Sequence, residues 1–233
     1  MNEIAKKMKL RMKHWIKDFL WTLFRKFRFG LFGTKAFARY WRKRDIRSHW
    51  KNQFLPSRAI LDEIFLPDIQ SIFEFGSACG PNLAYLANRY PHIAMTGMDI
   101  NPVAVNFGNR KLAEAGFINA KLVCGEQTSL KDCTSATYDL VFTLAVLIYI
   151  GPHEIRNTVS DLIRISKRRV VFIEQHVVSS PAEGAFFKGY WARNYVKLVQ
   201  EIDPTLNCYA ESVPKDIWEP AGGHAAKIVI DLP

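Results

Sequence analysis

Apolar positions follow two different periods along this chain. Between Trp15 and Phe32, residues Ile16, Phe19, Leu20, Leu23, Phe24 and Phe27 recur at steps of three and four, which builds one stripe along a helix. Lys13, Lys17, Arg25, Lys26 and Arg28 flank or oppose that stripe, so an amphipathic, basic helix is predicted, ended by Gly30 and Gly33. A second aromatic and basic cluster, Tyr40-Trp41-Arg42-Lys43-Arg44 with Trp50-Lys51, leads to Pro56 and a short helical pattern, Ile60, Leu61, Ile64 and Phe65. From Ser71 the pattern becomes regular. Strand-like runs at 71–76, 93–98, 120–124, 138–143 and 169–174 alternate with stretches of helical length. This alternation predicts a mostly parallel sheet, covered by helices on both faces, with ligands bound at the C-terminal ends of its strands. A helix over about 187–202 and two more runs, near 208–213 and 226–232, complete the pattern, the last two as an antiparallel hairpin at the sheet edge.

Composition adds an asymmetry. The 233 residues, 48% hydrophobic and 23% charged, suit one domain with an appendage. The net charge of +10 is unevenly distributed: residues 1–51 hold 16 Lys/Arg against three acids, a balance of +13, and the rest holds 16 against 19, a balance of −3. Lys17, Asp18, Arg25, Lys26 and Arg28 interrupt the apolar N-terminal stretch, so it lacks the roughly 20 uncharged residues a membrane-spanning helix needs. Its composition suits a helix lying on a membrane surface; packing on its own domain or on a partner, or service as an RNA-binding arm, are the alternatives. Cys79, Cys124, Cys133 and Cys208 form no C-x-x-C pair and have no zinc-ligand spacing, and no cleavable secretory signal is read, so a reducing, cytoplasmic setting without a bound metal is expected.

Candidate chemistry begins where the first run ends. Glu74-Phe75-Gly76-Ser77-Ala78-Cys79-Gly80 leads into Pro81-Asn82, a glycine-containing turn opening a helix, which alone is a weak signal for a nucleotide-type ligand. The next run ends Gly97-Met98-Asp99-Ile100-Asn101-Pro102. Its Asp99 follows Gly80 by 19 residues, the separation of an acid that binds ribose hydroxyls, although Asp99 could also cap the helix from Pro102.

With these elements the sequence resembles the class I S-adenosylmethionine-dependent methyltransferases, from about Tyr40 onward. Glu74 to Gly80 looks like the family's acid-x-Gly-x-Gly-x-Gly motif, with Ala78 in place of the middle glycine. Cys124-Gly125-Glu126-Gln127 resembles the turn after the third strand, and Tyr138 to Leu147 the fourth strand and the loop beside the cofactor's methionine end. The resemblance implies a Rossmann-like three-layer α/β/α fold. Its sheet would be mostly parallel and seven-stranded with an antiparallel C-terminal edge strand, over residues 37–233, with 1–36 as a basic helical extension. It also implies S-adenosylmethionine as cofactor, held by Glu74, Gly76, Ala78 and Gly80, by Asp99 at the ribose, by Ile100 and Glu126 at the adenine, and by Thr143 and Leu144. Glu126 also reads as a solvated turn residue, and Asp139 as structural or functional in equal measure.

Methyl transfer from a sulfonium is a direct displacement, so no fixed catalytic residue follows from the resemblance. Candidates lie on the loops after the strands: Tyr149 and His153 after the fourth, Glu174 and His176 after the fifth, with His176 first at the end of Ile173-Glu174-Gln175-His176, and His224 before the last, which also reads as a turn residue. Tyr190, Trp191, Arg193 and Tyr195 fall on the expected 187–202 helix, beside the acceptor or in the core. Phe142-Thr143-Leu144-Ala145 lacks an Asn/Asp-Pro-Pro-aromatic run, and the slightly acidic body suits long nucleic acid poorly, so DNA is not the expected substrate. The leading expectation is methylation of a small-molecule, glycan or lipid-linked acceptor at the inner membrane face. An RNA methyltransferase and a non-catalytic binding module are the alternatives.

Overall fold

A computed structural model describes residues 31–187, 189–217 and 224–233 of the chain. The amphipathic pattern over residues 15–30 and the Gly222-Gly223 pair lie outside the described residues.

Three helices start by one local rule, a proline at the first helical position. Gly80 precedes α2 (Pro81–Arg89), Asn101 precedes α3 (Pro102–Glu114), and Gly151 precedes α4 (Pro152–Ile165). Asn101 also caps α3, its side-chain oxygen accepting from the Ala104 amide at 3.1 Å. The strands they connect are β1 (Ser71–Phe75), β2 (Ala94–Asp99), β3 (Ala120–Cys124), β4 (Tyr138–Leu144) and β5 (Ser166–Gln175). Along β1 and β4 side chains alternate between two cores. Phe73, Phe75 and Val141 pack with Ile155 and Leu162 on one face, while Ile72, Leu140 and Phe142 pack with Leu83 and Leu86 on the other. These are the two helix-covered faces expected from the near-continuous apolar runs.

The main sheet has seven strands in the order β3-β2-β1-β4-β5-β9-β8, where β8 is Asn207–Ser212 and β9 is Ala225–Asp231. Strands β1 to β5 are parallel, and β9 lies antiparallel to both β5 and β8. The antiparallel C-terminal strand therefore sits one place in from the edge, with β8 outside it. The order reverses between β1 and β4, which opens a crevice at their C-terminal ends. At the opposite end Asp139 is structural, since one of its carboxylate oxygens accepts from the Gln70 and Ser71 amides and the Ser71 hydroxyl, each at 2.9 Å.

One segment differs from the sequence expectation. The helix expected over 187–202 is confined to α5 (Tyr195–Ile202); before it β6 (Ala185–Phe187) and β7 (Tyr190–Ala192) form a separate hairpin. Gly184 and Gly189, both at positive φ (105° and 92°), break helical geometry there. At the other end of the chain, the 36/37 division falls inside α1 (Leu31–Lys43), which is kinked at Gly33 (φ 52°, ψ −140°). The Thr34 hydroxyl accepts from the Gly151 amide (2.6 Å) and donates to Glu154 (2.9 Å). Two 3-10 segments, Arg47–Phe54 and Pro56–Ile64, continue from α1, and Ile60, Leu61 and Ile64 anchor the second in the core.

Candidate active site

A cavity of about 300 Å³ occupies the crevice above β1, β2 and β4. The β1–α2 turn forms its floor. Gly76 and Ser77 both donate backbone N–H bonds to the Met98 carbonyl (2.8 and 3.0 Å), fixing the turn against β2. Gly76 has φ +80°, and a Cβ built there would come within 2.4 Å of Val146, so a glycine is required both by conformation and by space. Ala78 also has positive φ, +52°, in spite of its methyl group. That left-handed conformation is strained for an L residue. The turn is held in it by a hydrogen bond from the Ala78 amide to Asp99 Oδ2 at 2.8 Å. Ala78→Gly is therefore expected to release strain exceeding the entropy it adds to the unfolded chain, a net gain of about 0.5–1 kcal/mol. Thermal unfolding should register it as a rise of about 2 °C; an unchanged or lower midpoint would show the turn to be unstrained.

Asp99 closes the end of the cavity beside β2. Its second oxygen accepts from the Asn101 amide at 2.9 Å, and burial raises its pKa against the opposing effect of these two amides. Ile100, Gly125, Glu126 and Gln127 continue this wall. Glu126 accepts from the Ser129 amide in a capping box and pairs with Arg42 at 2.8 Å, joining this wall of the cavity to α1. The opposite wall is Leu144, Ala145, Val146, Tyr149 and Ile150.

α1 and the 3-10 segments form the roof. Phe37, Ala38 and Trp41 line the cavity from α1, with the Phe37 and Trp41 rings each 5.1 Å from Tyr149. Asn101 donates to the Trp41 and Arg44 carbonyls (2.9 and 2.7 Å), tying the far end of α1 to β2. His49, Asn52 and Arg58 add polar groups beside Ser77 and Asn82. Burial, with the Arg44 and Arg58 charges, pushes the His49 pKa below its ordinary value, so the imidazole is neutral at pH 7. None of these roof residues stands out in the sequence as a site residue; the Tyr40–Lys51 cluster is the signal that could have found them.

Of the sequence candidates, Gly76, Ala78, Asp99, Ile100, Glu126, Leu144 and Tyr149 meet in this cavity. The others are not among its lining residues. Glu74 is buried behind the turn, bonded to Asn82 at 2.5 Å, with burial pushing its pKa up to about 7. Gly80 caps α2 in the left-handed region (φ 80°), and its missing side chain faces Leu122. Thr143 donates its hydroxyl to Glu174 at 2.9 Å. His176 is buried with Nδ1 turned onto the Tyr195 amide (3.2 Å) at the start of α5, which suits a helix cap. His153 is exposed on the first turn of α4. Tyr149 is thus the candidate for acceptor-side chemistry that reaches the cavity.

The donor set fits a ligand of the implied shape. Buried polar atoms without a protein partner gather at this site: Trp41 Nε1, Arg58 Nε, Ser77 Oγ and Asn82 Oδ1 on its lining residues, and Glu74 Oε2 beneath. Leaving so many buried groups unpaired is costly, which marks them as partners for a polar ligand. Among the described residues no cluster of His, Cys, Asp or Glu could hold a metal.

Residues 72–169 match the family model described as a methyltransferase domain. Among curated proteins, none matches the sequence. A SAM-dependent methyltransferase from Aquifex aeolicus superposes with a TM-score of 0.56 at 17% identity, over 81% of this chain and 98% of that one. Phosphoethanolamine N-methyltransferase 1 from Haemonchus contortus gives 0.61 at 16%, over 85% of this chain and 48% of that one. The [4+2]-cyclase SpnF gives 0.59 at 14%, over 75% and 78%. At these identities the likeness is one of fold, and a fold that also serves a cyclase leaves the chemistry to the site. Residues 72–169 are thus similar to a methyltransferase domain, and the strand order with the glycine turn facing Asp99 gives the chain the Rossmann-like fold that class I, S-adenosylmethionine-dependent methyltransferases share.

Proposed function

We propose that the protein transfers a methyl group from S-adenosylmethionine to a small-molecule, glycan or lipid-linked acceptor at an anionic membrane surface. The observation that carries the first half is the cavity in which Asp99, the Gly76 turn and the unpaired polar atoms converge. Asp99 would accept from the ribose hydroxyls, Ile100 and Glu126 would flank the adenine, and Arg58 would receive the carboxylate of the methionine end. When bound, the cofactor supplies a sulfonium-activated methyl group. What the chain itself contributes is then alignment and exclusion of water, for which Phe37, Leu144, Val146 and Tyr149 make an apolar wall. Neutral His49 is the lining imidazole able to accept a proton from an acidic acceptor.

The second half is supported by charge. Lys35, Arg39, Arg42 and Lys43 are all exposed on α1, adding to the positive charge of the sequence that precedes them. No helix among the described residues is long and apolar enough to cross a membrane. The test is incubation with methyl-labelled S-adenosylmethionine and cell extract, followed by organic and aqueous partition, for the full chain and for a chain lacking residues 1–30. Label in the organic phase, together with loss of vesicle binding on truncation, is the expected result. Label confined to RNA, with binding that falls steeply with salt, would replace the membrane reading by the RNA one. No labelled product with a cofactor-binding protein would favour a non-catalytic module.

A further inference from the structure

The loop from Ala145 to Gly151 forms one whole wall of the cavity, yet its only regular element is a single 3-10 turn, Leu147–Tyr149. Two fully buried ionisable side chains outside the cavity hold it. Glu174, near the end of β5, accepts at Oε1 from the Val146 amide (2.9 Å), the Leu147 amide (3.0 Å) and the Thr143 hydroxyl (2.9 Å). Arg193, following β7, donates to the carbonyls of Leu147 (2.9 Å) and Ile150, and to that of Glu183 (2.9 Å). A carboxyl group thus meets the amides where the turn begins, and a guanidinium spans the turn, from the Leu147 carbonyl, which also accepts from the Ile150 amide, to the Ile150 carbonyl beyond its end. Neither residue lines the cavity.

The clamped loop bears directly on the ligand space. Val146 packs over Gly76 closely enough to leave no room for a Cβ, and Tyr149 carries the ring contacts to α1. A displacement of the loop would open the cavity at the end assigned to the methionine portion of the cofactor. We propose that Glu174 and Arg193 are paired positioning residues which, by holding the amides that open the 147–149 turn and the Leu147 and Ile150 carbonyls that bracket it, set the width of the cavity and hence the affinity for the cofactor. A role in packing alone would be served as well by apolar residues of similar volume, but these would strand the loop's buried amides and carbonyls.

This inference rests on the cofactor reading above, and its test separates the two. S-adenosylhomocysteine is titrated calorimetrically into the full chain and into Glu174→Ala, Glu174→Gln and Arg193→Lys, with thermal unfolding measured without ligand. Glutamine keeps an oxygen for both amides, so Glu174→Gln should stay within about fivefold of the wild-type Kd, whereas Glu174→Ala should weaken binding by about 30-fold. A single ammonium cannot serve the carbonyls that the guanidinium fork spans, so Arg193→Lys should lose about tenfold. Folded Glu174→Ala and Arg193→Lys proteins that bind with wild-type affinity, changed only in melting temperature, would overturn the proposal. Should Glu174→Ala fail to fold, Arg193→Lys decides it. Absence of binding by the wild-type chain would instead overturn the cofactor assignment.

Discussion

Replacing Asp99 by alanine is expected to weaken S-adenosylhomocysteine binding by at least about 100-fold, the equivalent of two charge-assisted hydrogen bonds to a ribose. The geometry sharpens this into a test of the carboxylate itself. Both Asp99 oxygens already receive backbone amides, Oδ2 from Ala78 and Oδ1 from Asn101. An asparagine would have to point its NH2 group at one of those donors, so Asp99→Asn should also fail, by at least about tenfold, although its volume is unchanged. Loss in both variants, measured by calorimetry on folded protein, is the expected result. Wild-type affinity in either would remove Asp99 from the site.

Gly76→Ala should be nearly as damaging, for a different reason. The new methyl group would stand 2.4 Å from Val146 Cγ2, on a residue held at φ +80°. Overlap and left-handed strain together amount to about 2–3 kcal/mol, which would appear as a 30- to 100-fold loss of affinity if the loop yields, or as lost stability if it does not. The double variant Gly76→Ala/Val146→Ala separates the components. Removing the Val146 branches should recover the steric part and leave the conformational part, so a cycle showing no coupling would contradict the contact.

The difference between these two residues also shows what can be read from sequence. Asp99 and Gly76 are legible because their signals are local: a strand, a tight turn and a second strand lie within about thirty residues, and spacing alone fixes which end of the sheet they occupy. The strand limits are legible for the same reason, since a buried parallel sheet writes itself as apolar runs. His49 and Arg58 are not, because the 3-10 segments that bring them over the cavity have no strong period and owe their position to Ile60, Leu61 and Ile64 anchoring a remote core. His176 and Glu174 mark a second limit. Both leave β5 at the expected rim, but the direction of each side chain is decided by partners far along the chain, the Tyr195 amide for one and the 146–147 amides for the other. The β6–β7 hairpin is hidden by aromatic residues that suit helix and strand alike, with the deciding glycines at its boundaries.

The place of β9 in the sheet has a consequence for the order in which the molecule can be assembled during synthesis. Residues 225–231 pair on one side with β5 and on the other with β8, so β8 has no strand to join until they have left the ribosome. Until then β5 presents an open edge of buried character, rich in Val170, Val171, Phe172 and Ile173, to whatever lies nearby. The nascent chain therefore has to keep the centre of its largest apolar strand from pairing elsewhere throughout the synthesis of residues 176–224, and β8, although made earlier, waits for β9 before it can dock.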